Sequence, residues 1–232
     1  MEAVRNPLRQ LHLGNVATVE ILGVHHDEFG GLVRHVVNER HQPAVVLGGR
    51  TLAGDEDRLA TGGNLNNDIG LPLTVLRLRA HHRLAVLELG MNHPGETVYL
   101  AAIAQPTVAV ITNAQREHQE FMVSVEAVAH EHASAIAALP ADGVAVFPVD
   151  AESGGVHAAI WRKAAGTRRV LAFGTDASAD VRATVTLEDG VQVLHVTAPD
   201  QRFDLRLQLL GTHNVRNALA ATACALAAGV AV

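Results

Sequence analysis

One cysteine, Cys224, stands in the 232 residues. No internal disulfide framework can hold the chain, and a reducing compartment is expected. Cys224 lies in an Ala/Leu-rich run, where a thiol behaves as a small buried hydrophobe rather than a nucleophile. Aromatics make up 3% of the chain, too few for the stacking platforms of a single-strand binder. A net charge of −6 lacks the basic excess of a general nucleic-acid binder. The N-terminal stretch mixes Arg, His, Asp and Glu throughout, without the apolar centre of a signal peptide. The C-terminal run "NALAATACALAAGVAV" falls short of the roughly 18 to 20 residues that span a bilayer. It is Ala-rich, so a core helix is expected and no membrane span. Fourteen histidines are present, but they scatter without zinc-ligand spacing, and no Cys cluster joins them.

What is present is a core and a rhythm. Hydrophobic residues form 48% of the sequence, ordinary for a globular domain. From residue 59 onward strand and helix signals alternate. "LAVLEL" (84–89), "TVAVIT" (107–112) and "GVAVFP" (143–148) are continuous apolar runs of the kind found in parallel strands buried on both faces. A fourth run is "RRVLAF" (168–173). Between them "GLPLTVLRLRA", "ETVYLAAIA", "SVEAVAHEHASAIAAL" and "HAAIWRKAA" read as helices, with Ser124 as a natural N-cap. This alternation predicts an α/β fold: a mainly parallel sheet flanked by helices. A small antiparallel β patch is expected near residues 181–209, beside the main sheet. There "VRATVTLEDGVQVLHVTA" alternates around Asp189-Gly190, a hairpin signal, and "RFDLRLQL" alternates again. "HNVRNALAATACALAAG" closes as a helix. In residues 1–52 "VATVEILGV" and "PAVVLGG" suit strands and "EFGGLVRHVVNER" a helix, without a motif.

Ligands of a parallel sheet bind beyond the carboxyl ends of its strands. One such loop carries Glu88, Asn92, His93 and Glu96; the next carries Asn113, Glu117, His118 and Glu120. The stretch "ATGGNLNNDIG" adds Asn64, Asn66, Asn67 and Asp68, more amides than a surface turn requires. Carboxylate, imidazole and amide on one rim suit a hard cation with phosphate ligands. Each residue also has a plainer reading. Glu88 caps an apolar strand in water, His93 shapes a turn before Pro94, His118 is one polar residue of a polar loop, and the amides are turn formers. His132 falls on the stripe Val125, Val128, Ala129, His132, Ile136 and Leu139, which predicts an inward-facing, satisfied core histidine.

The strings "GNLNNDIGLPLTVLRL", "AVLELGMNHPGE", "PTVAVITNAQREHQEF" and "GTHNVRNALAATACALAAG" resemble, in order and spacing, the central domain of the Mur ligases. They are most similar to the members that add D-Ala-D-Ala. The resemblance covers residues 53–232 and leaves 1–52 unassigned. It implies a P-loop-NTPase-like, ATP-binding domain of a cytoplasmic, monomeric enzyme of cell-wall peptidoglycan synthesis. Such an enzyme uses ATP and Mg²⁺ to join D-Ala-D-Ala to a UDP-N-acetylmuramoyl tripeptide through an acyl phosphate. On that resemblance Glu88 and His118 reach the Mg²⁺. Asn64, Asn66, Asn67, Asp68 and His93 border phosphate and sugar-peptide, and His213, Asn214 and Asn217 lie beside the adenine.

The sequence departs from the family's pattern in four places. The Gly-rich loop ending in Gly-Lys-Thr/Ser, whose amides and lysine hold ATP phosphates, is absent. Gly48-Gly49-Arg50-Thr51 stands too close to Asn64 to leave room for the helix that should follow it. His132 occupies the place of a lysine whose carbamate helps hold metal in many members, and an imidazole forms no carbamate. Residues 1–52 do not resemble the family's UDP-binding domain, and the domain that brings in the amine is not represented. The expectation is a central domain from a truncated or disrupted reading frame that does not ligate alone. The alternatives are an inactive fragment, a non-enzymatic module binding nucleotide or UDP-peptide, and, more remotely, a metal-dependent hydrolase.

Overall fold

The structure, a computed structural model, describes residues 17–22 by their backbone, and 58–115 and 122–229 in full. "PAVVLGG", "EFGGLVRHVVNER", Gly48 to Thr51 and the loop bearing Glu117, His118 and Glu120 lie outside the described residues.

Nine strands among the described residues form one sheet. They are β1 (Ala17–Leu22), β2 (Arg58–Ala60), β3 (Leu84–Glu88), β4 (Val108–Ile111), β5 (Val144–Pro148), β6 (Arg169–Gly174), β7 (Val181–Glu188), β8 (Val191–Ala198) and β9 (Gln201–Leu207). The helices are α1 (Gly70–Val75), α2 (Glu96–Ala104), α3 (Val125–Ala137), α4 (Ala158–Ala165) and α5 (Thr212–Ala227). Strand order is β2-β3-β1-β4-β5-β6-β7-β8-β9. Every pair from β2 to β7 is parallel, and β7, β8 and β9 run antiparallel to one another.

Two findings refine the sequence reading. The antiparallel strands are not a patch beside the sheet but its continuation: Phe173 pairs with Val181 and Gly174 with Arg182. And β1, from the stretch left unassigned, lies inside the sheet. Ala17 pairs with Leu84, and Val19 with both Val86 and Val108.

The apolar strands follow from burial on both faces. Ala85 and Leu87 of β3, Ala109 and Ile111 of β4 and Phe147 of β5 feed one core with Leu71, Leu100, Val128, Ile136 and Trp161 from α1 to α4. Their alternate neighbours, Val86, Val108, Val110, Val144 and Val146, feed a second core with Val215, Leu219 and Ala223 of α5. Four helices therefore cover one face and α5 the other. Trp161 is fully buried, and its indole Nε1 donates to the Ala129 carbonyl at 3.0 Å, which satisfies the ring's one donor. Ser124 caps α3 as expected, its Oγ accepting from the Ala127 amide at 3.1 Å. The β7–β8 hairpin turns at Asp189 and Gly190, both at positive φ (49° and 80°), the conformation a two-residue hairpin demands.

Candidate functional site

Parallel strands align their carboxyl ends on one rim. There the chain leaves β3 at Glu88, β4 at Ile111, β5 at Pro148 and β6 at Gly174. The amide loop folds onto this rim beside β3. Thr61 ties it down: its amide donates to the Val86 carbonyl at 3.0 Å and its hydroxyl accepts from the Glu88 amide at 2.9 Å. Asn66 then reaches Glu88, with Nδ2 donating to Oε1 at 2.7 Å. The Asn66 carbonyl accepts from the Gly90 amide at 2.8 Å. A Cβ on Gly90 would stand 2.7 Å from the Asn66 side chain, so only glycine lets the loop approach this closely.

The other amides divide. Asn67 turns back on its own chain, Oδ1 accepting from the amides of Ile69 at 3.2 Å and Gly70 at 2.8 Å. Its carbonyl accepts from Leu71. That pattern opens α1, so capping engages the Asn67 side chain. Asn64 and Asp68 are exposed. The dense amide row thus contains one residue that holds Glu88, one that starts a helix and two that face solvent.

His93 lies in the next loop, exposed, with Nδ1 3.0 Å from Glu96 Oε1. Partial desolvation opposes ionisation of Glu96, but donors from the Asn92 and His93 amides and the His93 ring outweigh it and hold the carboxyl below its usual range. A second carboxylate, which the sequence reading passed over, clamps the same loop from α3. Glu131 is 8% exposed. It accepts from the Gly95 amide at 3.0 and 2.9 Å and from the Thr97 amide at 2.9 Å. It satisfies the first amides of α2 and complements that helix's dipole. Its only sequence signal was an acid beside an inward position, the ordinary mark of a solvated face.

His132 faces inward, as the stripe predicted, and is 1% exposed. It is not the satisfied histidine expected, however: Nδ1 has no hydrogen-bond partner among the described residues. Desolvation pushes its imidazole down to about 4, so the ring is neutral at neutral pH. Cys224 is half-buried rather than buried as expected, and desolvation pushes its thiol up to about 12, so it carries no thiolate at neutral pH.

At the start of α5, His213 is exposed and packs against Gly211. Asn214 Nδ2 donates to the Leu210 carbonyl at 2.8 Å and lies 3.0 Å from His213 Nε2. Asn217 is half-buried one turn on. His118 lies outside the described residues, so the geometry brings together Glu88, Asn66 and the Gly90 backbone.

Among the described residues no group of three or more His, Cys, Asp or Glu side chains gathers, which leaves no closed zinc site there. Mg²⁺ keeps several waters, takes phosphate oxygens and needs only one or two protein carboxylates. An oriented Glu88 at a strand's carboxyl end fits that demand. No helix of the described residues is long and apolar enough to cross a membrane.

A family model described as the Mur ligase middle domain matches residues 31–225. A UDP-N-acetylmuramoyl-tripeptide–D-alanyl-D-alanine ligase of Haemophilus influenzae is 38% identical over 180 residues, covering 77% of this chain and 38% of that protein. The Escherichia coli protein of the same name is 35% identical over 173 residues, 74% of this chain and 37% of its own length. A crystal structure of MurF from Acinetobacter baumannii superposes with a TM-score of 0.78 at 29% identity, covering 97% of this chain and 45% of that one. MurF of Thermotoga maritima, solved in complex with ADP, shares the fold at a TM-score of 0.71 and 20% identity, over 94% of this chain and 47% of its own. The chain spans less than half the length of each of these proteins.

Proposed function

Because the chain belongs to the Mur ligase family through its middle domain, we propose that it is the nucleotide- and carboxylate-handling part of an ATP-dependent amide ligase. Its substrates are a UDP-N-acetylmuramoyl tripeptide and D-Ala-D-Ala, in a monomeric cytoplasmic enzyme of peptidoglycan synthesis. The domain runs from β1 to α5. The observation that carries this reading is the 2.7 Å bond from Asn66 to Glu88, which aims a carboxylate at the rim where a parallel sheet takes its ligands.

In this reading a tripeptide carboxylate oxygen bonds to the γ-phosphorus of ATP as the bond to ADP breaks. The amine of D-Ala-D-Ala then attacks the acyl carbon: the C–N bond forms, phosphate departs and the amine gives up a proton. Glu88 and His118 would hold Mg²⁺, which when bound would supply positive charge against the phosphates. Asn66 keeps Glu88 aimed, and the loop from Asn64 to Asp68 with His93 borders the sugar-peptide. His213, Asn214 and Asn217 flank the base.

A second reading, binding without turnover, is favoured by one feature. The sequence has no Gly-Lys-Thr or Gly-Lys-Ser, and its one lysine is Lys163, exposed on α4. Charge on the phosphates then lacks its usual lysine partner. The purified chain is to be given ATP, Mg²⁺ and both substrates, with calorimetry for binding and assays for phosphate and amide product. The expected result is binding of ATP·Mg²⁺ or the UDP-peptide without phosphate release. Amide product from the chain alone would refute the second reading, and absence of any binding would refute both.

A further inference from the structure

Asp150 stands two residues beyond β5 and is 5% exposed. A buried carboxylate persists only where donors or opposite charge compensate its lost hydration, and here the compensation comes from two other elements. From the turn after β6, the Thr175 amide donates to Oδ1 at 3.0 Å and Oδ2 at 2.9 Å, the Thr175 hydroxyl to Oδ2 at 3.2 Å and the Asp176 amide to Oδ1 at 3.1 Å. From α5, Arg216 contributes charge rather than a hydrogen bond: its Nε stands 3.7 Å from Oδ2 and has no hydrogen-bond partner among the described residues, while its terminal nitrogen donates to Glu152. A Cβ on Gly174 would lie 2.5 Å from Oδ1, so the strand end keeps a glycine to admit the carboxylate. The carbonyl of Asp150 also accepts from the amides of Ser153 and Gly155 at 3.0 and 2.9 Å, which folds the β5 loop around the same point.

One side chain therefore joins the exits of β5 and β6 to the start of the helix on the opposite face of the sheet. Arg216 lies between Asn214 and Asn217 in sequence, so holding its guanidinium restrains the first turns of the helix that carries those two amides. Glu152 gives Arg216 a second tie to the β5 loop, whereas Asp150 also holds the Thr175 turn. We propose that Asp150 is a positioning residue: it anchors the start of α5 to the carboxyl rim and thereby sets the affinity for the adenosine half of a nucleotide. The proposal rests on the nucleotide reading given under Proposed function.

Asp150→Asn tests it, because the amide has one acceptor oxygen and no charge for Arg216. Two quantities are read: hydrogen exchange of amides 212–217 in the ligand-free chain, and ADP affinity by calorimetry. For the loss of a largely buried ion pair, exchange should quicken about tenfold and ADP should bind about tenfold more weakly. Arg216→Gln cuts the ties to both Asp150 and Glu152 while leaving the Thr175 bonds, and should give changes at least as large even where Asp150→Asn folds poorly. Glu188→Gln, which breaks the Arg206 pair on the far strands, should change neither. Faster exchange with unchanged ADP affinity would reduce Asp150 to a structural role and overturn the proposal, as would unchanged exchange. Wild-type chain that binds no ADP would overturn the nucleotide reading, and the affinity role of Asp150 with it, even if the exchange change were found.

Discussion

Replacing His132 with leucine should remove part of this protein's acid sensitivity. The imidazole is 1% exposed, and desolvation moves it from 6.5 to about 4. Between those values the unfolded chain binds a proton that the folded chain refuses. Stability is therefore complete above 6.5 and declines as pH falls through the window toward 4. One pH unit inside the window is worth about 1.4 kcal/mol. From pH 7 to pH 5, allowing for partial protonation at each end, the loss through this one residue is about 2 kcal/mol. Leucine is similar in volume, does not titrate and leaves no unpaired Nδ1, so His132→Leu should be neutral or slightly stabilising at pH 7. Other groups titrate in both proteins. The quantity to read is thus the difference between wild type and variant in the pH 7-to-5 loss, from urea unfolding with matched slopes. Equal losses would mean that the native state protonates His132 as easily as the unfolded one does, and the burial argument would fail.

Asn66→Ala removes the donor to Glu88 Oε1. Affinity for Mn²⁺, read by electron paramagnetic resonance in the presence of ADP, should drop about tenfold, the usual effect of losing a group that orients a metal ligand. Unchanged affinity would show that Glu88 is aimed by something else. Glu131→Gln leaves one acceptor oxygen where the amides of Gly95 and Thr97 share two; unfolding free energy should fall by about 2 kcal/mol. A loss within about 0.5 kcal/mol, the scatter of ordinary surface changes, would contradict the clamp.

The strands were legible where burial on both faces leaves no polar alternation. "LAVLEL", "TVAVIT" and "GVAVFP" became β3, β4 and β5 within a residue at each end. The Asp189-Gly190 hairpin was legible because its turn needs residues that tolerate positive φ. By contrast β2 is three residues, Arg58–Ala60, too short to show any period. The join of β7 to β6 rests on backbone bonds that leave no trace in side-chain pattern. At the site, Glu88 could be named because an acid ending an apolar strand stands out. Asp150 and Glu131 could not, since an acid in a loop and an acid on a helix look the same whether they are solvated or clamp a distant amide. Asn66 and Asn67 were recognised as unusual, but amides can satisfy a protein as readily as a ligand, and only geometry separates the two.

The position of β1 governs how this chain can fold as it is made. Its first neighbour begins at Leu84 and its second is reached only at Val108. Until both have emerged, a central strand waits with at least one edge of backbone donors and acceptors unpaired. Closing loops of that length before any reward makes assembly slow, and the waiting edge is the kind that pairs with other chains. A nascent chain ending before β4 thus carries its most exposed template at the heart of the future sheet. Arrival of β4 covers that template, after β3 has already set Glu88 beside β1, so the edge that holds the carboxylate is built before the sheet is closed around β1.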